Sequence, residues 1–251
     1  MEATIKHSQN TYTFNFNSPI DISIPIIPEG VRAFGIPKLK IQAVEQNGWI
    51  GDVSKGSAVN FNNISFNPHA HTTHTECVGH ISSKKESLNK ELTDFFFISK
   101  LITVTPKRKN QDCVITKKMI SDLFLNDDKV DALIIRTLPN YAKKKHTNYV
   151  NTNPPYLLKD AIDYIVNQGV RHLLIDLPSL DKEQDGGKLM AHKSFWRFPQ
   201  NIRHGSTITE LIYASPIVKD GLYLLNLQFV PFENDASPSR PLLFKLHKID
   251  E

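Results

Sequence analysis

Cysteine is scarce in this chain of 251 residues, which contains two, Cys77 and Cys113. Neither belongs to a CxxC pair, and this excludes a zinc ribbon and a thioredoxin-like redox motif. Two cysteines in a chain of this size do not indicate a disulfide framework. Because a chain this long buries a sizeable core without such links, we expect any metal site in it to be catalytic rather than structural.

Long hydrophobic runs are also missing. No apolar stretch approaches the ~20 residues that a membrane-spanning helix needs. Residues 1–6, Met-Glu-Ala-Thr-Ile-Lys, do not have the apolar core of a signal peptide. We therefore expect a cytoplasmic protein with no membrane partner.

The chain has little excess charge of either sign, because 30 basic and 26 acidic residues give a formal net charge of +4. Short basic runs at residues 107–109 and 143–145 lie in segments that we interpret as loops. A nucleic-acid-binding surface would have a larger basic footprint with interleaved aromatic residues. We therefore expect no nucleic-acid partner.

Hydrophobic patterning predicts an α/β fold, with mixed β-sheets, flanking helices and more strand than helix. We find no repeat, low-complexity tract or linker, so we expect a single domain over residues 1–251. The predicted strands lie at about residues 12–16, 20–26, 39–44, 95–104, 112–115, 130–136, 170–176, 207–213, 222–229 and 242–246. The predicted helices cover residues 116–125 with Thr116 as N-cap, a segment with Leu157, Leu158, Ala161, Ile162 and Ile165 on one face that ends at Gly169, and residues 188–196.

The order of three of these elements indicates a parallel βαβ unit. The strand near 130–136 is followed by the helix that ends at Gly169 and then by the strand near 170–176. Parallel neighbours joined by a helical crossover are typical of this order.

Histidine is concentrated in one short segment. Four of the ten histidines, together with Glu76, lie between His69 and His80. Neutral imidazole and carboxylate are ligands that catalytic zinc and manganese accept. A polar loop that holds several histidines by chance, or that binds metal adventitiously, is the alternative interpretation.

The spacing within this segment places some of these side chains together. In an extended segment, His74 and Glu76 point to the same side because residues two apart share a face. His69 and His80 could reach the same ion, or a neighbouring one, if the chain turns at Pro68 and Gly79.

At these residues the sequence resembles the metal-dependent cyclase and hydrolase family that includes bacterial kynurenine formamidase and isatin hydrolase. The family's signature is His-x-Gly-Thr-His-x-Asp-x-Pro-x-His. Residues 73–80 match its second half, with Glu76 in place of the Asp and Val78 in place of the Pro.

The first half of the signature is matched with one extra residue. His69 is the best match for the first histidine, at a spacing of five residues from His74 where the family has four. Thr72 stands where the family has Gly, and His71 is additional. We interpret His71 as a residue that faces the substrate or supports the ligands.

The resemblance continues downstream and covers roughly residues 15–247. His192 matches the family's later histidine and Glu210 its later glutamate. Residues 176–181 resemble the strand end before that histidine, and residues 235–240 resemble the C-terminal turn. Without the family context, His192 would be interpreted as an ordinary helix histidine and Glu210 as an exposed strand carboxylate.

The resemblance implies a cyclase-like (swivelling β/β/α) fold that binds one or two ions of Zn²⁺ or Mn²⁺. His69, His74 and Glu76 would hold the first ion, and Glu76 would bridge to a second held by His80, His192 and Glu210. Where a single ion is bound, His80 and His192 would be free to move protons.

The implied activity is hydrolysis of an amide-type bond, such as that of an aryl-formamide like N-formyl-kynurenine, by a metal-activated hydroxide. We expect His80 to be the general acid/base, with Glu210 as second choice. Cys77 as a nucleophile is a weaker alternative.

The implied partners are a small aromatic amide substrate and further copies of the chain in a homodimer or homotetramer. Trp49, His71 and Trp196 are the expected substrate-binding residues, although core packing is an equal alternative for the tryptophans. Three other functions stay open: hydrolysis of a lactam, cyclic imide or carbamate, non-catalytic binding of a metal or ligand, and a lyase or dehydratase reaction.

Overall fold

The computed structural model describes residues 1–125 and 129–249, and the structural statements below concern these residues. The strands are β1 (Glu2–His7), β2 (Asn10–Asn15), β3 (Ile20–Asp21), β4 (Lys40–Ala43), β5 (Glu45–Gln46), β6 (Trp49–Ile50), β7 (Asn62–Ser65), β8 (His74–Glu76), β9 (Phe96–Val104), β10 (Lys107–Lys109), β11 (Asp112–Ile115), β12 (Ala132–Thr137), β13 (Tyr156–Leu157), β14 (His172–Ile175), β15 (Thr207–Glu210), β16 (Gly221–Asn226), β17 (Ala236–Pro238), β18 (Leu242–Lys245) and β19 (His247–Lys248).

The helices are short. They are α1 (Pro68–His71), α2 (Leu88–Glu91), α3 (Lys117–Ser121), α4 (Lys159–Asn167) and α5 (Met190–Trp196), with 3-10 turns at Val53–Lys55, Val78–His80 and Ala142–His146. In the described part of the chain, no helix is both long and apolar enough to cross a bilayer.

The main sheet has, within the described residues, nine strands in the order β17-β8-β15-β14-β12-β9-β16-β18-β3. Its central strands β9, β12, β14 and β15 are parallel, whereas the strands on both sides of them pair antiparallel. Smaller sheets contain β1-β2-β19, β10-β11-β13, β4-β7 and β5-β6. The predicted mixed α/β class is therefore confirmed.

The centre of the sheet is apolar on both faces. Every residue of β12 and β14 is buried, as expected for parallel strands that are covered on both sides. One core cluster packs β12 residues such as Leu133 and Ile135 with Ile162 of α4 and Phe195 of α5. The other packs Ile134 of β12 with Tyr223 on the opposite face.

The predicted βαβ unit is confirmed, since β12 and β14 are parallel neighbours and α4 lies between them in the chain. The helix begins later than predicted, because Leu157 pairs in β13 beside β11 and Leu158 is the extended residue before α4. The predicted helix after Thr116 is also shorter, since α3 ends at Ser121.

The predicted strand over residues 20–26 is limited to Ile20–Asp21. Ile22 and Ile24 are still buried, but the backbone N–H of Ile24 donates to the hydroxyl of Thr73 (2.8 Å) and not to a ladder partner. Pro25 cannot donate a backbone hydrogen bond, and this limits the pairing of the segment.

Candidate metal centre

Strand β8 lies between β15 and β17 and carries two residues at the centre of the site. His74 and Glu76 are two residues apart, so their side chains lie on the same face of β8. In the antiparallel pairing of β8 with β15, His74 is directly opposite Glu210. His74 Nε2 lies 3.6 Å from Glu210 Oε2. On the other side, Glu76 is opposite Ala236 of β17, so the preceding Asp235 also reaches the site.

His69 enters the site from the single helical turn α1. Pro68 occupies the first turn of α1, where its missing N–H is tolerated. His69 Nδ1 lies 3.1 Å from Glu76 Oε2, and the His69 and His74 rings are 4.9 Å apart. The extended conformation that we expected for His74 and Glu76 begins at Thr72.

His80 and His192 complete the group from two further elements. His80 ends the 3-10 turn Val78–His80, with Nδ1 3.8 Å from Glu76 Oε2. His192 lies on α5, with Nε2 3.1 Å from Glu76 Oε1 and 3.5 Å from Glu210 Oε1. The structure thus brings together all six residues that the resemblance implied as metal ligands, namely His69, His74, Glu76, His80, His192 and Glu210.

The site satisfies a test of fit for a cation. His74 Nε2 and Glu76 Oε2 are buried and make no hydrogen bond to the described residues, although Glu76 Oε2 lies within ion-pair distance of His69. Leaving a buried polar atom unpaired costs about 1–3 kcal/mol. A divalent ion ligated by imidazole and carboxylate would pair both atoms.

Two groups of ligand atoms share Glu76. One group is His69, His74 and Glu76, and the other is Glu76, His80 and His192; within each, the ligand atoms lie within 4.8 Å of one another. This arrangement would suit one ion, or two ions with Glu76 as the shared ligand residue.

Buried charges control the electrostatics of the centre. Burial alone would lower the pKa of His69, but its contacts with the Asp235 and Glu76 carboxylates prevail and raise it to about 10. Burial alone would raise the pKa of Glu76, but the charge of His80 and the close contacts of His192 and His69 hold it well below its usual range. A cation entering the site therefore displaces protons from the histidines.

Sequence reasoning did not assign Asp181 and Asp235 to the site. Asp181 Oδ2 accepts a 2.6 Å hydrogen bond from His192 Nδ1. Asp235 Oδ2 lies 3.0 Å from His69 Nε2 and 3.3 Å from His80 Nδ1. Both residues lie in segments that resemble the family, 176–181 and 235–240. This resemblance was the sequence feature that could have assigned them to the site.

A cavity of about 440 Å³ lies elsewhere, whereas a cavity of about 300 Å³ opens onto the metal centre. His69, His80, His192 and Glu210 are among its lining residues. The others include Phe34, Ile36, Asn67, Ser179, Lys182, Glu183 and Leu189. The lining is therefore a mixture of apolar and polar side chains.

Two of the expected substrate-binding residues are packed away from this cavity. His71 is buried, accepts a hydrogen bond from Asn67 N at Nδ1 (2.9 Å) and donates from Nε2 to Pro37 O (2.9 Å). Trp196 is fully buried, and its Nε1 donates to Ser206 O (2.9 Å). Backbone groups hold both side chains in place, and this position suits packing behind the site better than contact with a substrate.

Trp49 is 41% exposed and lies on β6. Its ring packs against Phe61 with centroids 6.2 Å apart. It is not among the described residues that line the 300 Å³ cavity. The apolar lining residues of that cavity are Phe34, Ile36 and Leu189 instead.

Comparison with known proteins gives one family match. The profile of the Cyclase family, described as "Putative cyclase", matches residues 14–182, which is more than half of the chain. A search of curated protein sequences finds no match.

Solved structures with the same fold are also found. A predicted metal-dependent hydrolase from Bacillus stearothermophilus is 19% identical, with 90% of this chain and 98% of that chain covered and a TM-score of 0.62. Isatin hydrolase A from Ralstonia solanacearum is 14% identical, with 90% and 91% covered and a TM-score of 0.66. An isatin hydrolase bound to the product analogue thioisatinate is 15% identical, with 90% and 92% covered and a TM-score of 0.64.

Proposed function

Because the chain belongs to the Cyclase family, we propose that it is a metal-dependent hydrolase that cleaves an amide-type bond. An aryl-formamide such as N-formyl-kynurenine is the leading substrate. The observation that carries the proposal is a pair of buried ligand atoms without a hydrogen-bond partner, His74 Nε2 and Glu76 Oε2. They lie beside His69 and Glu210, which line an open cavity.

The proposed ligands are the six residues that meet at β8. His69, His74 and Glu76 hold one ion of Zn²⁺ or Mn²⁺, and Glu76 is shared with a second position formed by His80, His192 and Glu210. A divalent ion held there lowers the pKa of the water that it binds towards about 7 and polarises a substrate carbonyl.

His80 is the proposed general acid/base. Its side chain is 32% exposed and lines the cavity, whereas the side chain of Glu210 is 4% exposed and accepts a hydrogen bond from Leu180 N (2.9 Å). A group that exchanges protons with substrate must reach it, and His80 is the more accessible of the two. Glu210 is better suited to hold charge than to move protons.

The cavity supports an aromatic substrate. Phe34, Ile36 and Leu189 offer an apolar surface beside the ligands, and a volume of about 300 Å³ is at the lower end of the range for small-molecule sites. Phe34 and Leu189 have φ angles of 57° and 48°. Non-glycine residues in this region are uncommon and are enriched at functional sites.

Other functions share these features. A lactam, cyclic imide or carbamate presents the same carbonyl chemistry, and the solved relatives include isatin hydrolases. Two candidates belong to functional classes other than hydrolysis. One is a lyase or dehydratase reaction, and the other is metal binding without catalysis.

The experiment compares metal-free protein with protein reconstituted with Zn²⁺ or Mn²⁺. Both forms are assayed on N-formyl-kynurenine, isatin, a cyclic imide and an aryl carbamate in water enriched in ¹⁸O. We expect metal-dependent turnover with ¹⁸O in the product. Stoichiometric metal with no turnover on the panel would contradict an enzyme of this kind, and turnover without ¹⁸O would indicate elimination.

Replacing Cys77 by alanine is expected to leave kcat/KM within a few-fold of wild type. Cys77 is buried and its Sγ points to Glu86 O (3.6 Å), while burial raises the pKa of the thiol to about 12. A thiol that stays protonated is a poor nucleophile. Steady-state kinetics on the best substrate of the panel tests this, and complete inactivation would restore Cys77 as the nucleophile.

A further inference from the structure

We propose that Asp235 is a positioning residue of the metal centre, which orients His69 as a ligand and holds His80 beside it. The inference rests on the proposed metal-dependent function and adds a residue outside the six proposed ligands. It is carried by the hydrogen bonds of the histidine rings and by the way in which the backbone anchors Asp235.

Two of the buried histidines share one arrangement. His74 Nδ1 lies 3.0 Å from Thr72 O, so it donates there and leaves Nε2 facing the centre. His192 Nδ1 lies 2.6 Å from Asp181 Oδ2, and its Nε2 likewise faces Glu76. A histidine that binds a metal through one ring nitrogen commonly donates the other N–H to a carbonyl or carboxylate, which fixes the tautomer and the ring orientation.

His69 follows the same arrangement only if Asp235 is included. Its Nδ1 faces Glu76 Oε2 at 3.1 Å, and its Nε2 lies 3.0 Å from Asp235 Oδ2 on the other side of the ring. The carboxylate accepts the Nε2–H, so Nδ1 faces the ligand cluster and can bind a cation that displaces its proton. His69 thus has a carboxylate anchor equivalent to the one that Asp181 provides for His192.

The same oxygen also contacts His80. Asp235 Oδ2 lies 3.3 Å from His80 Nδ1, and the His69 and His80 rings are 4.3 Å apart. One carboxylate therefore joins a proposed ligand to the proposed acid/base. Burial alone would raise the pKa of Asp235, but the hydrogen bonds from both histidines hold it below its usual range, so the group is an anion.

The backbone keeps Asp235 in a defined position. Cys77 N donates to Asp235 O (3.0 Å), which ties the residue to the chain immediately after Glu76. Gly79 lies close against it, since a Cβ built on Gly79 would be 3.2 Å from Asp235 Cβ and would overlap with Glu86 O. The turn that carries His80 thus packs on Asp235 with no space for a side chain.

Direct ligation by Asp235 is the alternative that the test separates. His69, His80 and Asp235 offer ligand atoms within 4.8 Å of one another. We favour positioning because the 3.0 Å His69–Asp235 separation is that of a charge-assisted hydrogen bond, whose proton lies between the two atoms.

The test measures Zn²⁺ and Mn²⁺ binding to the metal-free protein by titration calorimetry, using Asp235→Ala, Asp235→Asn and the control Glu233→Gln. Glu233 lies in the same loop, but its side chain is 58% exposed and contacts Asn89 and Lys90. We expect Asp235→Ala to weaken metal binding about 10–100-fold. Asp235→Asn should weaken it less, because its amide oxygen still accepts from His69, and the control should match wild type.

Unchanged affinity in Asp235→Ala would overturn the inference, as would loss of all binding in Asp235→Asn, which would identify a direct ligand. Thermal unfolding of the metal-free variants shows whether they fold. If Asp235→Ala does not fold, Asp235→Asn decides: a several-fold loss supports positioning and wild-type affinity overturns it. Wild-type protein that binds neither metal would contradict the proposed function itself.

Discussion

Replacing Glu76 by glutamine is expected to abolish metal binding and to lower kcat/KM about a thousand-fold or more, the equivalent of several kcal/mol of transition-state stabilisation. Glu76 is fully buried, and its two oxygens face different histidines, Oε2 towards His69 and Oε1 towards His192. Glutamine has the same shape but replaces one oxygen by an NH₂ group, which cannot ligate a cation, and it removes the negative charge.

Titration calorimetry and metal analysis of the purified variant test this expectation. Glu45→Gln on β5 makes the same chemical change at an exposed position and should behave as wild type. Thermal unfolding of both metal-free variants separates loss of the site from loss of the fold. A Glu76→Gln variant that keeps stoichiometric metal and wild-type turnover would remove Glu76 from the centre of the mechanism.

Local pattern was enough to place part of this site. The two-residue alternation of a strand predicted that His74 and Glu76 share a face, and β8 has this geometry. Alternation alone would have excluded His69, which is an odd number of residues from His74. His69 reaches the cluster because Pro68–His71 is a helical turn, and the same turn directs His71 to Pro37 O.

Long-range pairing accounts for what local pattern missed. Asp235 reaches His69 because β17 pairs with β8, a contact between segments about 160 residues apart. Hydrophobic period reports which face of a strand is buried, but it does not specify which strand lies beside it. Apolar runs predicted the strands β9, β12 and β14. The strand β1 was not predicted, because its sequence is mostly polar and contains no such run.

The positions of the expected substrate-contacting residues also depend on packing that local pattern does not specify. Trp196 follows His192 by four residues on α5, so the two share a helix face and their rings lie 5.7 Å apart. The indole is thus packed beside this proposed ligand and is fully buried in the core. Phe34, which lines the cavity, lies in a loop with a positive φ angle that hydrophobic patterning does not identify.

Replacing His80 by alanine is expected to lower kcat about 10²–10⁴-fold, as for loss of a general acid/base. His80 faces the cavity, and its Nδ1 is held by Asp235 at 3.3 Å, while Glu76 is farther away at 3.8 Å. The group of His69, His74 and Glu76 does not include His80, so at least one ion should still bind.

Metal content measured together with kcat separates the two roles that His80 can have. Unchanged metal content with a much lower kcat indicates proton transfer by the His80 imidazole. Loss of one ion per chain indicates a ligand, and wild-type kcat would exclude both roles. His204→Ala is the matched control, since this exposed histidine contacts Glu91 (2.9 Å) far from the cavity lining and its loss should leave kcat unchanged. The Asp235→Asn variant should weaken metal binding but keeps the His80 imidazole. Together with His80→Ala, it therefore separates the positioning of the metal ligands from proton transfer to and from the substrate.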